Sequence, residues 1–428
     1  MNPSRLKRSI TMTVFAVLII PIQVVAQGQN YVITTLGTLG GASSAAISIN
    51  ASGLISGYSS LTENQTQVAV IFQNGKPVSL GTLGGPDSGV EWPNHNARAV
   101  VGIAETSDID LLNENWSCSF FFPQPPTGHV CLGFVWQNGV MHPLPTLGGI
   151  NGYAAGANDL GQVVGWAETP LHDSTCVPPQ VLQFEAVIWG PKQGQVQPLP
   201  PIYSDPDSAA TAINNKGQVA GISGICENAV GDMSATHAVL WENGTVTDLK
   251  SLGGNAWNTP AAINNLGQVV GFSENSESNI HAFRWTKEGG IQDLKTVDGD
   301  SNSYAYAIND RGQVVGQSIG GPYGTRAFIW EDGVMTDLNC LTPPGSPYLL
   351  YANDINDSGR ITGEAYDPNT GEAPAFLAAP RPGVNQCSAG SATVATGRTL
   401  ALSVILPRNI AAMLQRSGAL SKIARPNK

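Results

Sequence analysis

Charge is scarce in this chain, and basic charge scarcer still. Asp, Glu, Lys and Arg make up 12% of its 428 residues, with 21 Lys and Arg against 32 acids. So few charged residues argue against long solvent-facing helices. The acidic balance argues against nucleic acid as a partner, because a negative body repels phosphate backbones. Long apolar runs are also missing after the first segment, and a membrane span needs roughly 20 apolar residues. Catalytic signatures are absent too. There is no G-x-S-x-G elbow, no H-E-x-x-H, no phosphate loop and no CxxC pair, and the six histidines have no metal-ligand spacing.

What is present begins with a leader. Arg5, Lys7 and Arg8 precede an apolar stretch over 10–22, then Val24, Val25 and Ala26 stand before polar Gln27. This is the layout of a secretory signal peptide over 1–26, cleaved after Ala26. Pro21 and Gln23 interrupt the stretch and disfavour an uncleaved anchor, so no membrane span is expected after cleavage, and the expected location is extracellular or periplasmic. Removing three basic residues takes the net charge from −11 to −14. The tail 383–428 holds six more basic residues and no acids, which leaves the body 27–382 near −20. Ile410, Met413, Leu414, Leu420 and Ile423 alternate with Arg408, Arg416 and Lys422 in that tail. They fit a short amphipathic helix or a frayed terminus equally well.

The body repeats. "AAINNLGQVVG" ending at Gly271 returns in parts ending at Gly57, Gly102, Gly165, Gly221, Gly316 and Gly363, spaced 45 to 63 residues apart. Seven copies at such a period mean a repeat architecture. In six of them, Asn-x-x-Gly between apolar runs asks for a tight turn with a left-handed Gly, and the copy ending at Gly102 is degraded there. The third run ends in Phe72, Trp136, Trp189, Trp241, Trp285 or Trp330, and Asn74-Gly75, Asn138-Gly139, Asn243-Gly244 and Asp332-Gly333 mark two-residue hairpins. A copy is therefore a four-stranded antiparallel meander. The 49 glycines and 29 prolines suit many short strands. The first strands are Ala-rich, as expected where blades crowd an axis, and the register of the recurring Trp makes it core. The seventh copy lacks a fourth strand, and residues 31–36 read as a fourth strand with no first three. The expected fold is an all-β, seven-bladed β-propeller of four-stranded antiparallel blades, closed by the N-terminal strand.

"LGTLGG" at 36–41 and 80–85, with echoes at 146–149 and 251–254, and the "HAF.W" run resemble the extracellular HAF repeat family over about 31–382. The resemblance implies an exported bacterial repeat protein and supplies no catalytic residues. Copies two and seven depart most from the pattern.

Six cysteines in an exported chain suggest disulfides. Shared or equivalent insertions pair Cys118 with Cys131 and Cys176 with Cys226. Cys340, opening copy seven, is left for Cys387, which follows it. Zinc is the lesser alternative, with no clustered His to support it. Asp298, Asp300 and Asn302 resemble the start of a calcium loop but lack its Gly and Glu, so turn chemistry competes. Asp205, Asp207 and Ser208 form a comparable stretch. No other cofactor is expected.

Length variation gathers in the connections 105–130, 168–183 and 223–236. They are assigned to the face opposite the short turns, together with Trp92, Trp116, Tyr153, Trp166, Tyr203 and Trp257. Long loops on one face of a rigid scaffold are where binding evolves. Trp92, Trp257, Tyr153 and Trp116 are the expected ligand-binding rings. The leading function is an exported binding or adhesion module for a glycan or envelope component. A polysaccharide hydrolase or lyase and a structural envelope scaffold are the rivals. Perturbed acids at the axis would favour the enzyme, and a face of exposed aromatics would favour glycan binding.

Overall fold

A computed structural model describes residues 29–93, 99–114, 118, 121–123, 125–227, 233–322 and 324–382. The signal segment 1–26, the tail 383–428, Trp116 and Cys387 lie outside them. The described strands form seven four-stranded antiparallel sheets arranged as a ring. Blade one runs Gly40–Ile49, Ile55–Leu61, Gln67–Gln73 and Lys76–Gly81 from axis to rim. Five blades follow in the same order. In the seventh, the inner strands Tyr348–Ile355, Ile361–Tyr366 and Ala375–Pro382 are completed by Gln29–Thr35 from the other end of the body. That strand pairs with Ala375–Pro382 from Gln29 opposite Pro382 to Thr35 opposite Phe376. The ring thus closes as the strand count requires, leaving no open edge at the junction.

The repeat's final Gly has a steric cause. In all seven second strands, a Cβ at that position would collide with a carbonyl oxygen of the innermost strand, as Gly57 with Ala45 and Gly363 with Tyr351. In six blades a bulge follows on the innermost strand, after Ala46, Ala154, Ala210, Pro260, Ala305 and Ala352. The extra residue bends that strand where the blades converge.

The turn Asn does two jobs. Asn264 Oδ1 accepts the backbone N–H groups of Leu266 and Gln268, at 3.1 and 3.0 Å. Gly267 takes the left-handed conformation at φ 85°. The Nδ2 of the same Asn donates to the next blade. Asn158 donates to the Asn214 carbonyl, Asn214 to Asn264, Asn264 to Asn309, Asn309 to Asn356 and Asn356 to Asn50, all at 3.0 to 3.1 Å. A second clip joins blades at the other end. Asp87, Asn151, Asp207 and Asn302 lie in or next to the first part of innermost strands, and each accepts an N–H near the start of the third strand of the preceding blade: Gln67, Cys131, Phe184 and Ile280. Between the clips the recurring Trp rings are core, with Trp189 and Trp241 donating Nε1 to the Pro145 and Pro200 carbonyls.

Candidate functional site

Three insertions crowd one face, between the second and third strands of blades two, three and four. They follow Val100–Ile109, Val163–His172 and Val219–Gly224. Two disulfides brace them as expected. Cys118–Cys131 ties the blade-two insertion to the third strand of that blade, and Cys176–Cys226 ties blade three to blade four with 4.6 Å between Cα atoms. The third expected pair, Cys340 with Cys387, involves a residue outside the described part of the chain. Backbone pairing supports the second bridge, with Val177 N–H on the Glu227 carbonyl at 2.8 Å. Glu114, from the blade-two insertion, accepts the N–H groups of Val181 and Leu182 in blade three at 2.7 and 2.5 Å. The three insertions therefore form one cross-linked platform.

It exposes apolar side chains among polar ones. Ile109, Leu111, Leu112, Leu171, Val177 and Met233 are all exposed, Leu111 to 90%. Beneath lie buried carboxyls. Glu105 accepts from Thr127 Oγ1 and from the Asp87 N–H. Glu168 is pushed up to about 7 by burial and then by the Glu114 charge, against hydrogen bonds from Asn151, Gln180 and Ile150. Asp207 is pushed up to about 8, chiefly by burial.

The rings selected from sequence sit differently from expectation. Trp92 belongs to the connection between strands one and two of blade two, Gly89 to Val100, and not to the long-loop set. Its Nε1 donates to the Ala261 carbonyl of blade five at 2.7 Å. Blades two and five are not neighbours in the ring, so the indole crosses the axis, and it shares a buried cluster with Ala155, Ala209 and Ala261. The small inner-strand side chains of blades three to five leave the volume that the indole fills. Tyr153 and Trp166 are buried in the same cluster, Tyr153 stacked on Phe121. Neither offers an exposed face. Trp257 is half-buried against the cluster that holds Phe272, Tyr304 and Tyr306, and Tyr203 is exposed.

The calcium-like loop is engaged by protein. Asp300 pairs with Arg326 at 2.8 Å, the same guanidinium donates to the Asp298 carbonyl, and Asn302 is the blade clip to Ile280. Asp207 and Ser208 are likewise clip residues, bonded to the Phe184 and Ala186 N–H groups. Among the described residues, Glu105, Cys118 and Cys131 could converge on a metal, but the two sulfurs are consumed in their disulfide. His237 pairs with Asp205 and His281 with Asp293.

Sequence reasoning missed a polar arc at the axis. Glu91 follows the innermost strand of blade two, and its Oε1 accepts from Gln67 Nε2 of blade one at 3.0 Å. Glu364 stands on the second strand of blade seven, hydrogen-bonded by Asn353. Burial pushes Glu91 well above the ordinary carboxylate range, and the charge of Glu364 adds to this. Burial alone carries Glu364 up to about 7, against the Asn353 bond. At the short-turn end of the axis, a depression of about 80 Å³ is lined by turn residues including Asp159, Asp310 and Asp357. These acids are already partnered. Asp310 and Asp357 accept backbone N–H groups at 2.8 Å, and Asp159 accepts from Asn215 Nδ2.

No family model and no curated protein matches the chain. Among solved structures it is similar to puromycin hydrolase, at 13% identity and TM-score 0.45, over 79% of this chain and 56% of that one. It is also similar to dipeptidyl peptidase 4 of Porphyromonas gingivalis, at 10% identity and TM-score 0.37, over 74% and 50%. TolB of Acinetobacter baumannii aligns at 14% identity and TM-score 0.38, over 62% and 57%. The chain thus spans about half the length of these proteins. Likeness at this level carries no argument about function, and the propeller assignment rests on the strand pairing itself.

Proposed function

We propose that the protein is an exported binding module that engages an apolar surface of an envelope or extracellular component through the platform on blades two to four. The observation that carries the reading is the combination of rigid bracing with exposed aliphatic tips. Six exposed apolar side chains stand on insertions held by two disulfides and by Glu114, and exposed apolar groups gathered on one face are of the kind that marks interaction sites. Pre-organisation lowers the ordering cost of binding. Disulfides suit an oxidising compartment, and no helix among the described residues is long and apolar enough to cross a membrane.

Glycan stacking calls for exposed rings, and among the described residues Tyr203 is exposed while Trp257, Tyr348 and Tyr366 are half-buried. A hydrolase acting on a polymer would need its acids open to the chain. The axial pair Glu91 and Glu364 is 7% and 5% exposed. The first fact turns the binding reading from a glycan toward an apolar partner, and the second favours it over a polymer hydrolase.

The test is binding of the purified mature protein to envelope fractions and whole cells. Leu111→Asp with Leu171→Asp on the platform is compared with Leu160→Asp and Leu266→Asp, which alter exposed leucines of the short turns. Loss of binding in the first pair with an unchanged melting curve is expected. Loss confined to the second pair would overturn the reading.

A further inference from the structure

Charge is divided unevenly along the chain, and one side of the division falls on the platform. The insertions 105–130, 168–183 and 223–236 hold eight acids and no Lys or Arg. Glu105, Glu114 and Glu168 are buried beneath the surface. Asp108 is exposed, and Asp173 and Glu227 are half-buried. These acids interleave with the exposed apolar groups, Asp108 beside Ile109 and Asp173 two residues past Leu171. A purely apolar partner covering this surface would strip water from carboxylates and give nothing in return. The surface therefore suits a segment that carries apolar groups and positive charge together.

The chain contains such a segment. Its tail 383–428 has six basic residues and no acids, and Arg408, Arg416 and Lys422 are interspersed there with Ile410, Met413, Leu414, Leu420 and Ile423. The tail lies outside the described residues, so its composition and reach are what bear on docking. A folded body of about 350 residues has a radius of gyration of roughly 20 Å. The 25 residues 383–407 span up to about 80 Å when fully extended. That is enough to bring 408–423 to any part of the body from Pro382, the end of the last strand of blade seven. The short-turn face suits the tail less well. Its exposed Leu160 and Leu266 occupy the third position of the Asn-x-x-Gly turns, where blades four and six carry exposed Lys216 and Arg311. Those cations repel a basic segment.

We infer that the tail docks its 408–423 segment on the platform of blades two to four, and that an outside partner binds there by displacing it. This rests on the reading of the platform as a contact surface. Tethering puts the segment at an effective concentration on the order of millimolar, so a contact of modest affinity stays occupied until a partner competes.

The test is a carbodiimide cross-link, which joins a lysine amine to a carboxylate with loss of water and no spacer. It is applied to an equal mixture of isotope-labelled and unlabelled full-length mature protein, and the joined peptides are mapped by mass spectrometry. Lys422 is expected to link to Asp108, Asp173 or Glu227 of its own chain. Leu414→Ser with Leu420→Ser keeps every charge and lies outside the propeller body. That variant should lower the yield severalfold and bind envelope fractions more tightly. No link from Lys422 or Lys428 to the platform, links to Asp357 of the short turns instead, links that join only labelled to unlabelled chains, or an undiminished yield in the Ser variant would each overturn the docking. Platform links in a protein that leaves envelope fractions unbound would sink the outside partner and leave this contact standing. Envelope binding that Leu111→Asp with Leu171→Asp abolishes, without platform links, would do the reverse.

Discussion

Replacing Tyr31 by alanine tests whether the N-terminal strand holds the ring shut. Tyr31 is fully buried in the cluster that contains Leu338, Leu341, Leu349, Ile361 and Phe376, so its ring is packed by blade seven and its neighbour. Truncating a buried aromatic to alanine costs about 3–5 kcal/mol. The Tyr31 hydroxyl, however, has no partner in its apolar surroundings, and burying such a group already costs about 1–3 kcal/mol. Taking the hydroxyl cost at its lower end, about 1 kcal/mol, the net loss for Tyr31→Ala should be about 2–4 kcal/mol, and Tyr31→Phe should be neutral or stabilising. Unfolding entropy near 2.1 cal/mol/K per residue gives roughly 0.7 kcal/mol/K for a body of about 350 residues. Tyr31→Ala should then lower Tm by about 3–6 °C, and calorimetry of the mature protein reads this directly. Signal cleavage after Ala26 would leave the strand intact, because pairing begins at Gln29. Removing Gln29–Thr35 altogether should cost more and expose an edge prone to aggregation. A Tm for Tyr31→Ala within one degree of the parent, or a Tyr31→Phe as unstable as Tyr31→Ala, would refute closure by this strand.

Trp92→Ala should destabilise by about 3–5 kcal/mol as an emptied axial plug, in contrast to the small change expected of an exposed binding ring; urea denaturation distinguishes the two. The chain-entropy relation gives about 4 kcal/mol for Cys176–Cys226, separated by 50 residues, and about 3 kcal/mol for Cys118–Cys131, separated by 13. Paired Cys→Ser variants should therefore rank in that order, and the reverse order would show that loop closure is not the controlling factor. Asp207 is raised to about 8 in the fold against about 3.9 unfolded, so its ionisation penalty grows as pH rises from about 4 to about 8. Asp207→Asn should gain stability at pH 8 and not at pH 4, since Asn151 and Asn302 already perform the same clip in other blades. A variant less stable at both pH values would contradict this.

The blade was legible because each of its signals is local and repeated. Positive φ at both Asn74 and Gly75, and again at Asn138 and Gly139, is what those dipeptides ask of a two-residue hairpin. Cys176–Cys226 was legible because equivalent insertions on adjacent blades meet, and Cys118–Cys131 because its two residues belong to one loop region of a single blade. Trp92 was not, because copy two lacks the regular Asn-x-x-Gly turn. With no register to anchor it, the ring was placed on the wrong connection. The second duty of the turn Asn was hidden for a different reason. One amide can satisfy its own turn and still donate to the next blade, and sequence reports only the first use.

The axial arc shows where such reading ends and what replaces it. Glu91 and Glu364 lie more than 270 positions apart, on blades that flank a third, and only ring closure brings their charges within reach. No motif spacing encodes that approach. Yet once the blades are superposed by register, the residues that break the pattern identify themselves. Gln317 and Glu364 stand where five other blades place apolar or aromatic groups, and Asn353 and Tyr306 where four blades place Ile, Ala or Thr. Local consistency specifies a fold, and departures from it concentrate where something else is being selected. In this ring they concentrate at the axis, while the excess chain length concentrates on the insertions of blades two to four. Two kinds of departure fall on two different parts of one scaffold: buried polar groups around the axis, and braced insertions whose exposed aliphatic side chains face outward.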